Sequence, residues 1–266
     1  MKKMNPRGEM PFLDHLEELR WRIFKSAGAI LFFTLVGFGV VYYYGVMDLL
    51  IQPVMRYTPT GRLNVFNPVT PFFLYVKLAL IVGLILSAPL IIYEIWAFLA
   101  PALEDHERRA IIPSFYLGFV LFVLGVAMAY FLALPVSLKF LFGLFPDYLD
   151  NLIGVDEYLG FVVRLLVGFG IVFELPVVVM ILTALGLATP TFLRAKRRHA
   201  VVIITVVASL LSPGDVIMVT LLMMVPLFLL YELSILLSAL IVRRRVDRSI
   251  LPSQDGPDGA VEKGDS

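Results

Sequence analysis

Glu174 stands inside the apolar run from Phe161 to Leu185, where a carboxylate has no ordinary structural use. A charged side chain at the centre of a lipid-crossing helix costs about 2.5 to 3.5 kcal/mol on insertion scales, so such residues face a protein interior or a wet cavity and mark functional positions. Two residues on, Pro176 has no N–H to offer the Val172 carbonyl, which predicts a bend in the helix that carries Glu174. Other carboxylates gather at two places. Met10 to Lys25 puts Phe12, Leu16, Leu19 and Ile23 on one helical stripe, with Asp14, Glu17, Glu18, Arg22 and Lys25 around the rest. The short segment Ala100 to Ala110 holds Glu104, Asp105 and Glu107 beside His106, Arg108 and Arg109. Carboxylates do nothing for membrane orientation, which Lys and Arg set. The chemistry open to these groups is reception of a cation. Glu18 has a plainer alternative, an i,i+4 pair with Arg22 that contributes about 0.3 to 0.5 kcal/mol. For Phe98, at the end of an apolar run, the plainer alternative is an interfacial anchor.

Other chemistries are unsupported. The chain has no Gly-rich loop ending in Lys-Ser or Lys-Thr, no histidine pair at metal spacing, and three histidines, His15, His106 and His199, all at the edges of apolar runs. It has no cysteine, which excludes disulfides, thiol catalysis and thiolate metal sites. The expectation is a protein that is not an enzyme, takes no cofactor or metal and binds no nucleic acid. Any work it does draws energy from a partner or an ion gradient.

The elements that must position these groups are membrane helices. Of 266 residues, 59% are apolar and 16% charged, and the mean hydropathy is +0.89, which places the chain among polytopic helical membrane proteins. Apolar runs at 23–44, 72–99, 111–134, 161–185, 200–211 and 216–242 make six candidate crossings. The fifth, 200–211, is below the usual span of about 17 to 25 residues and reads as a short crossing or a re-entrant arm. Most of the 22 basic residues fall beside alternate ends of these runs, so both termini are expected to be cytoplasmic. The acidic start, with Glu9, Asp14, Glu17 and Glu18, does not read as a cleavable signal peptide. Its amphipathic stripe predicts an approach helix lying near the membrane surface. The outer connections, about 45–71 and 135–160, carry Pro53, Pro59, Pro68, Pro71 and Pro146 and predict short capped lids. Ala79, Gly83 and Ser87 recur every fourth position, a spacing that admits close helix approach. Glu232 reaches the cytoplasmic surface if the sixth helix matches its short partner, and lies in the membrane if the whole run is used. Residues 1–250 form one membrane domain, followed by a Pro- and Gly-rich tail, 251–266, expected to be disordered.

Several of these stretches carry a resemblance. His15-Leu16-Glu17-Glu18-Leu19-Arg20, Leu86-Ser87-Ala88-Pro89 through Trp96-Ala97-Phe98, Ala100-Pro101-Ala102-Leu103, His106-Glu107-Arg108-Arg109, Ala129-Tyr130-Phe131, Phe173-Glu174-Leu175-Pro176 and Ser212-Pro213-Gly214-Asp215 resemble the TatC family, the multispanning receptor of the twin-arginine translocase. The similarity runs from about residue 12 to 242 in the same order. It implies a glove-like bundle of six helices in the inner membrane of a prokaryote, driven by proton-motive force and self-associating in a receptor complex. It implies that Glu18 and Glu107 receive the paired arginines of a signal peptide, with Arg20 in the same motif and Phe98 taking part in recognition. It implies that Glu174 is a polar point for the single-span partners TatA or TatB, and that Pro53, Tyr130 and Asp215 are structural or partner-related. Glu94, Met218 and Val219 depart from the family pattern. The rival reading is a secondary transporter with Glu174 as an intramembrane proton site, though no internal repeat supports it.

Overall fold

The computed structural model describes residues 12–58, 61–99, 111–143, 152–212 and 217–250. Helix α1 spans Phe12–Tyr44, α2 Val46–Met55 and α3 Thr70–Leu99. Helix α4, Ile111–Met128, passes through a widened π turn at Ala129–Ala133 into α5, Leu134–Gly143. Then come α6 Val155–Phe173, α7 Leu175–Ala184, α8 Pro190–Ala195, α9 Arg197–Leu211 and α10 Ile217–Ile250. The fold is all-α: among the described residues the only extended pairing is an isolated bridge between Asn64 and Gly154. Helices long and apolar enough to cross a membrane cover Asp14–Tyr44, Thr70–Leu99, Tyr116–Gly143, Val155–Ala184 and Met223–Arg243. The run at 200–211 lies within the 15 residues of α9, about 22 Å at 1.5 Å per residue and short of a hydrocarbon core of about 30 Å.

Three boundaries differ from the sequence reading. The approach segment and the first crossing are one helix, because no Pro or Gly interrupts Phe12 to Ala27; the amphipathic stripe continues the axis of α1 and does not form a separate surface helix. The third crossing does not stop at Leu134. Pro135 has no N–H for the preceding turn, and the π turn absorbs the defect, with the Leu134 N–H reaching back to the Ala129 carbonyl. The fourth crossing starts at Val155, where Asp156 and Glu157 in the first turn complement the helix dipole.

Helices α1 and α3 pack antiparallel through small residues. A Cβ on Gly83 would lie 2.6 Å from the backbone of Thr34, and one on Gly37 would lie 2.5 Å from the Ala79 carbonyl oxygen. The four-residue spacing of Ala79, Gly83 and Ser87 is thus the seam that receives α1. The main core gathers Leu74, Leu78, Leu134, Leu159, Leu165, Phe169, Met223 and Leu227, all buried. A smaller one, Ile92, Trp96, Leu121, Val177 and Ile181, joins α3, α4 and α7.

The lid at α2 is pinned by side chains from distant helices. Pro53 cannot donate to the carbonyl four residues back, that of Leu49, and the Tyr130 hydroxyl donates to that oxygen at 2.7 Å. Tyr158 donates to the neighbouring Leu50 carbonyl at 2.7 Å. Backbone bonds from Asn64 N to Ile153 O (2.9 Å) and from Val155 N to Asn64 O (3.0 Å) join the two outer connections. Lys77 Nζ donates to Asp156 at 3.0 Å across α3 and α6. Tyr130→Phe is expected to lower stability by about 1 kcal/mol. In a Pro53→Ala background, where residue 53 supplies the missing N–H, the same change costs less. Thermal unfolding of the four proteins in detergent checks this coupling.

At the far end, Arg197 Nη2 donates to Glu232 Oε2 at 2.7 Å, and the Tyr231 hydroxyl donates to the Leu193 carbonyl at 2.7 Å. Beyond this level α10 continues beside α7, where Thr183 and Ser238 share a hydrogen bond of 2.8 Å. The sixth helix uses its whole run, and Glu232 is level with the start of its short partner. Arg194, Lys196, Arg197 and Arg198 are all exposed there, which requires water or lipid headgroups at that depth.

Candidate functional site

The register of α1 against α3 decides which side chains meet near the Leu99 end. With Gly37 on Ala79 and Thr34 on Gly83, the same antiparallel register brings Arg22 to Glu94 and Glu18 level with Phe98. Arg22 lies one turn after Glu18, so its guanidinium returns to that carboxylate. Nε and Nη2 donate to Glu18 Oε1 at 3.0 and 2.5 Å, while Nη1 donates to Glu94 Oε2 at 2.8 Å. Lys25 Nζ lies 3.8 Å from Glu94 Oε1. Glu94 is only 8% exposed, so its charge in an otherwise apolar helix end depends on these two cations. The second oxygen of Glu18, Oε2, is buried without a hydrogen-bond partner, with His15 Nδ1 3.6 Å away. The His15 ring stacks on Phe98 at 4.3 Å between centroids.

Beside this cluster opens a cleft of about 350 Å³ between the two helices. Leu19, Ile23 and Ile30 from α1 and Ile95, Phe98 and Leu99 from α3 supply its apolar wall, and Arg22 and Glu94 stand in it as charged groups. The arrangement joins a half-satisfied carboxylate, through Arg22, to the lining of an apolar groove, the complement of a guanidinium followed by apolar side chains.

Of the residues predicted from sequence, the structure brings Glu18 and Phe98 to one place. Arg20 is exposed on α1, its guanidinium carbon 5.6 Å from the Phe24 ring centroid, a cation–π contact outside the cluster. Glu107 and Asp215 lie outside the described residues. Pro53 and Tyr130 are joined in the lid contact given above. Glu174 sits where the expected bend occurs, between α6 and α7. Its N–H donates to Ile171 O at 3.1 Å, and its carbonyl accepts from Val177 and Val178 at 3.0 Å each. Its Oε1 is buried without a hydrogen-bond partner, and Oε2 would lie 3.0 Å from a Cβ on Gly118, close to Ile92. The bend at Pro176 and the absence of a side chain at Gly118 bring the carboxylate level with Ile92, two residues from Glu94 along α3.

The chain matches the family model described as Sec-independent protein translocase protein (TatC) over residues 14–226. The chain belongs to the TatC family. A TatC protein of Aquifex aeolicus is 40% identical over 240 residues, covering 89% of this chain and 98% of the relative. One of Escherichia coli K12 is 37% identical over 248 residues, covering 92% and 94%. A crystal structure titled twin arginine translocase receptor TatC superposes with a TM-score of 0.73 at 40% identity, covering 86% of this chain and all of that one. A second, of the same receptor in DDM, gives 0.76 over 84% of this chain. As a TatC-family protein the chain is a multi-pass membrane component of a protein translocase, a transport role rather than a catalytic one.

Sequence reasoning missed the part played by Glu94 and underrated Arg22. Glu94 registered only as a departure from the TatC pattern and Arg22 only as an intrahelical partner. The signal was available: a lone carboxylate near the end of an apolar helix needs a cation, and Arg22 and Lys25 are two of the basic residues at the same end of α1.

Proposed function

We propose that the chain is the receptor of a twin-arginine translocase, taking the signal peptides of folded cargo at the cytoplasmic face of a prokaryotic inner membrane with both of its termini in the cytoplasm. Glu18 and Glu107 receive the two arginines. Adjacent side chains of an extended peptide point to opposite faces, so two acceptors on separate elements suit the pair better than one. The observation that carries the reading is that Glu18 already grips a guanidinium, through two N–H groups on one oxygen, and that this guanidinium, of Arg22, lines an apolar cleft together with Phe98. Exposed ion pairs contribute about 0.2 to 1 kcal/mol each, against about 8 kcal/mol for micromolar binding, so the apolar part of the signal must supply much of the affinity. The groove beside Phe98 is the surface for it.

Glu174 serves the other side of α3. A buried carboxylate oxygen without a partner is an acceptor for a polar group on a single-span helix, which fits TatA- or TatB-type partners, self-association in a receptor complex and assembly driven by proton-motive force. One crosslinking experiment tests both assignments. A photoreactive residue at position 98 is expected to label a twin-arginine peptide and to spare its twin-lysine control, and one at position 174 is expected to label a single-span partner. Equal labelling of the two peptides from position 98 would remove the receptor assignment, and no partner product from position 174 would remove the docking assignment.

A further inference from the structure

We propose that Glu94 is a specificity-determining residue of this recognition site: it shares Arg22 with Glu18, which leaves an internal guanidinium only partly engaged there, and takes Arg22 over when a peptide guanidinium moves onto Glu18. The inference rests on the receptor reading given above and deepens it.

Three observations carry it. Arg22 is divided between two carboxylates, with Nε and Nη2 on Glu18 Oε1 at 3.0 and 2.5 Å and Nη1 on Glu94 Oε2 at 2.8 Å. The grip on Glu18 is incomplete, since both donors converge on one oxygen and Oε2 has no hydrogen-bond partner. A guanidinium from outside, free of the Glu94 tether, can place its parallel donors on both oxygens, the stronger bidentate geometry. Finally, Glu94 keeps a claim on Arg22 whatever happens at Glu18. It is 8% exposed, and Lys25, 3.8 Å away, is its remaining cation, so a displaced Arg22 has a ready acceptor on the α3 side.

Discrimination between arginine and lysine then arises from competition inside the site. A peptide must offer Glu18 more than Arg22 already does. An arginine satisfies both oxygens, whereas a lysine ammonium is a point charge without the planar fork and does not displace the resident guanidinium. Without Arg22 the site would be an ordinary anionic patch that accepts either cation.

The test is a fluorescence titration of the full chain in lipid nanodiscs with two signal peptides that differ only in an Arg-Arg or Lys-Lys pair. Arg22→Gln is expected to tighten the Lys-Lys peptide about tenfold, more than it tightens the Arg-Arg peptide, so that the preference narrows. Glu94→Gln is expected to weaken the Arg-Arg peptide about tenfold, because Arg22 is left with Glu18 as its one acceptor. Arg22→Lys keeps a charge beside Glu94 and carries the test if Arg22→Gln does not fold; it too narrows the preference. An unchanged ratio in the Arg22 variants, or wild-type binding by Glu94→Gln, overturns the exchange. Glu18→Gln separates this failure from that of the parent reading. If Glu18→Gln loses the Arg-Arg peptide while the Arg22 and Glu94 variants stay silent, only the exchange falls. If Glu18→Gln binds as the wild type does, the receptor reading falls with it.

Discussion

A chain carrying Glu18→Ala or Glu107→Ala is expected to lose export of a twin-arginine cargo while remaining inserted in the membrane at its normal level. The Glu18 side chain is only 20% exposed, so its pairing with a guanidinium exceeds the exposed-pair range and reaches the about 1.5 to 3 kcal/mol of a charged hydrogen bond, and losing it weakens binding by about tenfold or more. In Glu18→Ala the Arg22 guanidinium keeps its 2.8 Å contact with Glu94, so the α1–α3 contact survives. What goes is the one carboxylate oxygen of the described cluster that is buried without a hydrogen-bond partner. Insertion is unaffected because neither change removes a basic residue from the loops that set orientation. Export and membrane abundance, measured on the same cells, check the claim; normal export in both variants would exclude the binding role.

The second large effect is structural. Gly83→Leu is expected to separate α1 from α3 and abolish the site without touching a charged residue. Even a Cβ at this position would lie 2.6 Å from Thr34 Cα and N, and backbone does not yield as a flexible side chain would. Overpacking of this kind costs about 1 to 3 kcal/mol, and more where two helices must move apart. Because Arg22 and Glu94 sit on the same register as Thr34 and Gly83, the shift reaches the guanidinium bridge. A short bifunctional thiol crosslinker bridging cysteines placed at 22 and 94 in this cysteine-free chain reads the register directly. It is expected to join them in the parent background and to fail in the Gly83→Leu background. Gly28→Leu, on α1 where an added Cβ meets nothing within 4 Å, is expected to leave it intact.

Much of this architecture was written in apolar runs. Helix α3 covers Thr70–Leu99, against an expected 72–99, because that apolar run is continuous. The bend at Glu174 was legible because Pro176 removes a particular donor. The limits of α4 and α5 were not, since a widened turn lets a helix pass a proline that otherwise reads as a stop. The Tyr130 contact with Leu49 was beyond reach for a different reason. Pro53 announces an orphaned carbonyl, but nothing local says which of eleven tyrosines will reach it. The site shows the same division. Glu18, with its partner four residues away, was readable along one helix, whereas the pairing of Arg22 with Glu94 depends on an interhelical register fixed by Gly37 and Gly83. Residue spacing reveals what one helix presents; it does not reveal which residue on the next helix stands opposite.

The most direct test of the account is calorimetric titration of the full chain in lipid nanodiscs with the Arg-Arg and Lys-Lys signal peptides, repeated with Glu18→Gln and Glu107→Gln. The account predicts that the Arg-Arg peptide binds at least about tenfold more tightly than its control, and that either substitution removes most of that difference. Equal affinity for the two peptides in the unaltered chain, or an undiminished preference after both glutamates are replaced, would contradict it.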